Sequence, residues 1–145
     1  MDYTTPVGEI IERFKLIEYL LNCMIINHIT PKDIAFFQNI LLNSSIINTG
    51  AKVKIIKYIC QSKNKDYDFT NLHKLINIRN LFAHEDVCFG VGDNSNVFTV
   101  AELKSNGVYI EEKFEKKYTE FKSIYLDEFK KINKLSEELS KCPQS

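Results

Sequence analysis

The last long stretch of the chain, from Phe114 to Ser140, carries the pattern that most limits the possible folds. Its apolar side chains recur in steps of four and three, at positions 114, 118, 121, 125, 132, 135 and 139. This spacing places them on one face of a single helix, which is stable only when that face packs against other helices or a partner chain. Glu128 stands where another apolar residue is expected, with Phe129 beside it.

The residues before position 85 predict four more helices. In the first of them the apolar residues are those at positions 10, 14, 17, 21, 24 and 25. Thr30 and Asp33 flank Pro31 in a pattern typical of a helix start, so Thr30 is expected to cap a helix that begins at Pro31. The four helices are expected at 7–29, 31–42, 51–61 and 70–84, with a linker at 43–50.

Short strands are predicted at 97–103 and 108–112, because Asn106-Gly107 between them is a strong turn signal. No regular structure is expected for 85–96. The predicted fold class is therefore all-α, an up-and-down bundle of about five helices with a small β-hairpin, at about 97–112, inserted before the long C-terminal helix. We expect a single domain spanning 1–145 with a frayed tail at 141–145.

The charges and cysteines exclude several classes of protein. The chain has 19 basic and 19 acidic residues, and zero net charge argues against coating nucleic acid by bulk electrostatics. The cysteines, at positions 23, 60, 88 and 142, form no Cys-x-x-Cys pair, so we expect free thiols, a cytoplasmic protein, no metal and no cofactor. The apolar segment at 16–29 is interrupted by Glu18, Asn22, Asn27 and His28, which favours a buried helix and no contact with a membrane.

The helix at 70–84 concentrates the chemistry. On an ideal helical wheel His73, Asn77, Asn80 and His84 form one narrow polar stripe, opposite apolar residues at 72, 75, 76, 82 and 83. Arg79, one of only two arginines in the chain, falls within the apolar arc. Burying an unpaired guanidinium costs several kcal/mol, so Arg79 needs an anion, a helix bend or a partner.

Two simpler interpretations remain open for these residues. In the first interpretation, Arg79 forms a structural salt bridge with an acidic residue of another helix. His84 would cap the C-terminal end of its own helix, where a cation is favoured.

The run Arg79-Asn80-Leu81-Phe82-Ala83-His84 resembles the signature of the HEPN superfamily of small helical domains. In that family an arginine is followed by four to six residues, of which the first is usually polar, and then by a histidine. The motif is most similar to that of the mannitol-repressor-like branch, which reads Arg-Asn-x-Phe-Ala-His. A lysine-bearing helix before the motif helix and a long final helix follow the family order. Members paired with nucleotidyltransferase antitoxins often carry His-x-Tyr, whereas His84 is followed here by Glu85 and Asp86.

The resemblance implies a metal-independent endoribonuclease of the toxin or defence-effector kind. His84 would transfer protons, since the unperturbed pKa of histidine is about 6.5. Arg79 would hold the phosphate, and Asn80 would orient His84 or bind the phosphate. Arg79 and His84 diverge by about 140° on an ideal helix. We therefore expect a homodimer whose two motif helices form one composite site.

Six further residues are expected to contact the RNA substrate. Three lysines lie on the expected outer face of the helix at 51–61, where a solvated helix face is the simpler interpretation. The six residues are Lys52, Lys54, Lys57, Lys74, His73 and Asn77.

The alternative to an enzyme is a non-catalytic, dimeric regulator or interaction module like the mannitol-repressor-like branch. Zero net charge favours this second interpretation. A regulator would act through a regulatory protein partner, whereas the partner of a toxin would be an antitoxin. A nucleotide-binding adaptor, which would be stabilised by its ligand without cleaving RNA, is a third interpretation.

Overall fold

The structure, a computed structural model, describes residues 4–84, 87–89, 98–103 and 105–141. Its helical elements are α1 (Thr4–Ile29), α2 (Ile34–Phe36), a π-helical turn (Phe37–Leu41), α3 (Thr49–Ser62), α4 (Thr70–His84) and α5 (Phe114–Lys141). Its strands are β1 (Val87–Phe89), β2 (Phe98–Leu103) and β3 (Tyr109–Lys113). The helical character predicted from the sequence is confirmed, since helices hold most of the described residues.

The apolar spacing predicts the buried faces of both long helices correctly. On α1 the six expected side chains are at most 2 % exposed, and they are Ile10, Phe14, Ile17, Leu21, Met24 and Ile25. On α5 the buried apolar side chains are Phe114, Phe121, Tyr125, Ile132, Leu135 and Leu139. Tyr118, at the remaining expected position, is half-buried.

The start of α2 differs from the prediction. Thr30 does not cap it, because its backbone is left-handed, with φ of 49°, and its hydroxyl donates to the Ile29 carbonyl at 2.8 Å. Asp33 is the cap, and its carboxylate accepts a hydrogen bond from the Phe36 amide at 3.0 Å. An aspartate that satisfies a free amide of the first turn fixes the helix start directly after itself, at Ile34.

The start of α3 also differs from the prediction. The side chain of Asn48 accepts a hydrogen bond from the Ala51 amide at 2.8 Å, so α3 begins at Thr49. The linker therefore ends at Asn48, two residues before the predicted end at 50, because the side chain of Asn48 caps the helix.

The three strands form one antiparallel sheet in the order β1-β2-β3. Phe89 pairs with Phe98, and Leu103 pairs with Tyr109. Gly107 has a φ of 82°, a conformation that glycine adopts without a steric penalty. Strand β1 lies within the segment expected to be irregular. Residues 85, 86, 90–97 and 104 of the expected irregular and hairpin segments, and residues 142–145 of the expected frayed tail, lie outside the described residues.

The chain divides into two compact units. Unit 1 contains Met1–Phe14 and Thr70–Leu126, and thus α4, the sheet and the first part of α5. Unit 2 contains Lys15–Phe69 and Asp127–Ser145, and thus α2, the π-helical turn and α3. None of the described helices is both long enough and apolar enough to cross a bilayer.

Unit 2 buries a carboxyl group within the apolar face of α5. Glu128 is 1 % exposed and accepts a hydrogen bond from the hydroxyl of Tyr67. Burial raises the pKa of Glu128 above its usual value, and the hydrogen bond from Tyr67 and the charge of Lys131 offset only part of that effect. Glu128, which interrupts the apolar pattern of α5, is therefore buried together with the Tyr67 hydroxyl that hydrogen-bonds it, as a buried polar group requires.

Replacing Glu128 with glutamine should change how stability depends on pH. A carboxyl group whose pKa is raised by folding contributes stability in full below its unfolded pKa and loses it as the pH rises through its folded pKa. The unfolding free energy of the wild type should therefore fall, relative to that of Glu128→Gln, as the pH rises above the ordinary glutamate value of 4.5.

Urea unfolding from acidic to mildly alkaline pH measures this difference. Glu137→Gln is the matched control, since Glu137 is an exposed carboxylate on the same helix. Parallel stability profiles for the wild type and Glu128→Gln would contradict the prediction.

Candidate functional site

Helix α4, in unit 1, separates an apolar face from an uncharged polar stripe, as the helical wheel predicts. Its buried residues are Leu72, Leu75, Ile76, Ile78 and Phe82. The polar residues His73, Asn77 and Asn80 are exposed. Phe82 packs edge to face against Phe114, with ring centroids 4.9 Å apart. This contact anchors the motif end of α4 to the start of α5.

Arg79 lies at the border between these two faces. Its side chain is half-buried, and its guanidinium carbon is 5.9 Å from the centroid of the Phe14 ring. Its Nη1 donates a hydrogen bond to Oδ1 of the exposed Asn80 at 3.2 Å. The apolar stem of Arg79 therefore packs on the core of unit 1 while its charge stays at the surface, as is usual for a long cationic side chain.

The described side chains offer Arg79 no partner for the structural salt bridge of the simpler interpretation. Among the residues whose side chains are described, no carboxylate forms an ion pair with Arg79. The guanidinium has five N–H donors, and Asn80 uses one of them. Among the described side chains, none other accepts a hydrogen bond from this guanidinium.

The histidine of the motif, His84, is the last residue of α4. Helix α4 ends at His84, as expected, but the imidazole lies outside the described side chains. The meeting of His84 with Arg79 therefore remains a prediction. Asn80, by contrast, is brought into direct contact with Arg79.

Lys52 is buried, so its predicted outward position is wrong. It is 1 % exposed, because position 52 shares a helical face with Ile56 and Ile59. Burial lowers the pKa of Lys52, and the nearby carboxylate of Glu18 offsets part of that effect. Glu18 also accepts a hydrogen bond from the Thr49 hydroxyl at 2.5 Å. We therefore exclude Lys52 from the surface that would contact RNA.

The other expected RNA contacts are surface residues in two groups. Lys54 and Lys57 are exposed on α3 in unit 2, and the Lys57 ammonium lies 5.4 Å from the centroid of the Phe69 ring. Lys74, His73 and Asn77 are exposed on α4 in unit 1. The second group shares a helix with Arg79.

A polar cluster between α1 and α5 of unit 1 was not predicted. Arg13 forms an ion pair with Glu9 at 2.6 Å and lies over the Tyr125 ring, 5.5 Å from its centroid. Glu9 also accepts a hydrogen bond from the Tyr118 hydroxyl. The spacing of Glu9 and Arg13, four residues apart on a helix, was the available signal. Both arginines of the chain thus lie over aromatic rings, but Arg13 is neutralised by a carboxylate.

Metal-binding side chains do not converge in the part of the chain that the structure describes. There, no group of three His, Cys, Asp or Glu residues is arranged to hold a metal ion. Cys23 and Cys60 are free thiols, and burial raises the pKa of Cys60.

Comparison with known proteins adds no identification. The chain matches no protein-family model, no curated protein and no solved structure. The resemblance to HEPN domains therefore rests on the residues from Arg79 to His84 and on the order of the helices.

Replacing Arg79 with alanine should destabilise the fold only slightly. A partly exposed cation over an aromatic ring contributes about 0.5–1 kcal/mol, and loss of its packed stem adds a similar amount. Breaking a buried salt bridge would cost about 3–5 kcal/mol.

Urea unfolding of Arg79→Ala distinguishes these two values. Lys74→Ala is the matched control, because Lys74 is an exposed cation on the same helix. A loss of 3 kcal/mol or more would show that Arg79 is mainly a structural residue.

Proposed function

We propose that the chain is a metal-independent endoribonuclease of HEPN type whose active site is completed by a second copy. The observation that carries this proposal is the position of Arg79. Its guanidinium lies half-buried at the surface of unit 1, next to Asn80 and without a carboxylate partner among the described side chains. An arginine held in this way is suited to bind a phosphate through a planar pair of donors.

The surrounding surface of α4 also suits a phosphate backbone. His73, Asn77 and Asn80 are exposed and carry no negative charge, and Lys74 adds a positive charge on the same helix. These side chains offer hydrogen bonds to phosphate and ribose oxygens. Lys74 and Arg79 supply two positive charges on this helix, in a chain whose net charge is zero.

Cleavage would proceed by attack of the ribose 2′-oxygen on the adjacent phosphorus. One imidazole removes the 2′-hydroxyl proton while the bond from phosphorus to the 5′-oxygen breaks, and a second group returns a proton to that oxygen. The products are a 2′,3′-cyclic phosphate and a free 5′-hydroxyl. Arg79 would stabilise the negative charge that develops on the phosphoryl oxygens.

A second copy is needed for this chemistry because one α4 offers one His84 and one Arg79. On an ideal helix these residues diverge by about 140° and do not face the same phosphate. A two-fold axis beside α4 would supply two arginines and two histidines to one cleft.

Purified protein should cleave single-stranded RNA in the presence of EDTA. His84→Ala and Arg79→Ala should each lower the rate by about 100-fold or more, as is typical for loss of a general acid or base or of a charge-stabilising donor. Arg79→Lys should remain impaired, because lysine lacks the planar pair of donors.

Two variants serve as controls for this assay. His28→Gln and Arg13→Lys change a histidine outside α4 and the other arginine, and both should keep wild-type activity. Full cleavage by His84→Ala and by Arg79→Ala would show that the assignment is wrong.

Mixing the two inactive variants tests the composite site. Mixed dimers contain one intact Arg79 and one intact His84 on different chains, so an equimolar mixture of Arg79→Ala and His84→Ala should regain part of the activity. A mixture that exchanges subunits but stays inactive would contradict a site in which one copy of each residue suffices.

The neutral net charge favours a second candidate, a non-catalytic dimeric regulator that acts through a protein partner. Such a protein would dimerise but would not cleave RNA, and its expression would not inhibit growth. The EDTA assay therefore separates the two candidates.

A further inference from the structure

Helix α3, in unit 2, has an exposed face that combines an aromatic ring with positive charges. Four of its residues follow one another in steps of three, one and three, which places them within an arc of about 100° around the helix axis. All four are exposed, and they are Lys54, Lys57, Tyr58 and Gln61. We call these four residues the α3 stripe. Most of the remaining residues of α3 are buried or half-buried.

Tyr58 presents its ring to solvent. It is 67 % exposed, the largest value among the exposed large hydrophobic residues of the described part of the chain. The ring contacts within that part join other pairs, so none of its side chains stacks on Tyr58. Unit 2 therefore gains little stability from this ring, because apolar surface stabilises a fold only when it is buried.

The charges on this part of the chain have one sign. Positions 34–65 contain five lysines and no aspartate or glutamate. Three of the lysines act inside unit 2, one by burial, one through a hydrogen bond to a backbone carbonyl and one in an ion pair, and they are Lys52, Lys63 and Lys65. The other two, Lys54 and Lys57, belong to the α3 stripe. The stripe therefore presents cations to a polyanion, and α3 contains no carboxylate that would repel it.

An exposed aromatic ring beside lysines suits a single-stranded nucleic acid better than a protein partner. Lysine is depleted at the core of protein–protein interfaces. Sites for single strands instead combine cations that follow the phosphate backbone with aromatic side chains on which unpaired bases stack. A double helix keeps its bases stacked inside, so it would reach the lysines but not the ring of Tyr58.

The spacing within the α3 stripe brings the required groups side by side. Lys54 lies one helical turn before Tyr58, and Gln61 lies three residues after it, so both are neighbours of the ring on the helix surface. A base stacked on the ring would have the Lys54 ammonium on one side for a phosphate. The Gln61 amide, on the other side, both donates and accepts hydrogen bonds.

We propose that the α3 stripe binds single-stranded RNA, with Tyr58 stacked on an unpaired base and Lys54 in contact with a phosphate. The choice of RNA as the ligand rests on the proposed function. Cleavage itself is not required, since the α3 stripe belongs to unit 2 and Arg79 belongs to unit 1. Lys54 and Lys57 are RNA contacts that the sequence predicts, and Tyr58 is a contact that it did not predict.

Fluorescence anisotropy with a short 2′-O-methyl oligouridine, which binds without being cleaved, tests this proposal on the full chain. Tyr58→Ala should weaken binding about tenfold or more, as is typical for the loss of one base–aromatic stack. Tyr58→Phe should bind like the wild type, because it keeps the ring. Lys54→Ala should weaken binding and also make it less dependent on salt, as expected when one phosphate contact is lost.

Tyr19→Ala is the matched control, because Tyr19 is 57 % exposed and lies in the same unit, next to the carboxylate of Glu18. It should bind like the wild type, and circular dichroism should show that all variants are folded. The effect of Tyr58→Ala should persist in an Arg79→Ala background. If Arg79→Ala alone leaves binding unchanged while Tyr58→Ala weakens it, the phosphate-binding role of Arg79 is wrong and the α3 stripe stands.

Several results would overturn the proposal. They are a wild type that does not bind the oligouridine, a Tyr58→Ala variant that binds as tightly as the wild type, and an equal loss of binding in Tyr19→Ala. An RNA duplex that binds as tightly as the single strand would also contradict it. So would polyglutamate that displaces the RNA as effectively as unlabelled oligouridine, because each of these two results would indicate a site for negative charge alone.

Discussion

The packing of α1 determines where the motif arginine lies. Phe14 belongs to the buried stripe of α1 and is 1 % exposed, and the Arg79 guanidinium rests over its ring. The apolar face of α4 is buried as well, and Arg79 lies at the edge of that face. Packing on these apolar residues thus fixes the position of the Arg79 side chain, and the hydrogen bond to Asn80 orients its guanidinium. A cation held at the surface in this way loses little conformational entropy when it binds an anion.

Two charged residues of unit 2 lie in positions that helical spacing assigns to the core. Glu128 is accommodated by the hydroxyl of Tyr67, and Lys52 by the neighbouring charge of Glu18. Burial disfavours the charged form of both groups, so each needs a specific partner. Loss of either partner would leave a buried polar group without its compensating interaction.

The helices and their inner faces could be predicted from the sequence because helical periodicity is a strong local signal. The six inner residues of α1 and the bounds of α4 illustrate this. The capping residues Asp33 and Asn48 were harder to predict, since several nearby polar side chains compete to accept the first free amides. The burial of Lys52 was not predicted, because lysine is usually an exposed residue. Its position on the same helical face as Ile56 and Ile59 indicated the opposite. The Glu128–Tyr67 contact joins residues 61 positions apart, and no local pattern reports such a pair.

The central claim is that Arg79 binds the phosphate of an RNA strand. The chain has two arginines, so a spectrum of arginine Nε–H groups contains two signals that can be assigned with Arg13→Lys and Arg79→Lys. Titration with a 2′-O-methyl RNA, which binds but lacks the attacking hydroxyl, should shift the Arg79 signal and leave the Arg13 signal in place. An Arg79 signal that does not move, or an equal shift of both signals, would contradict the account.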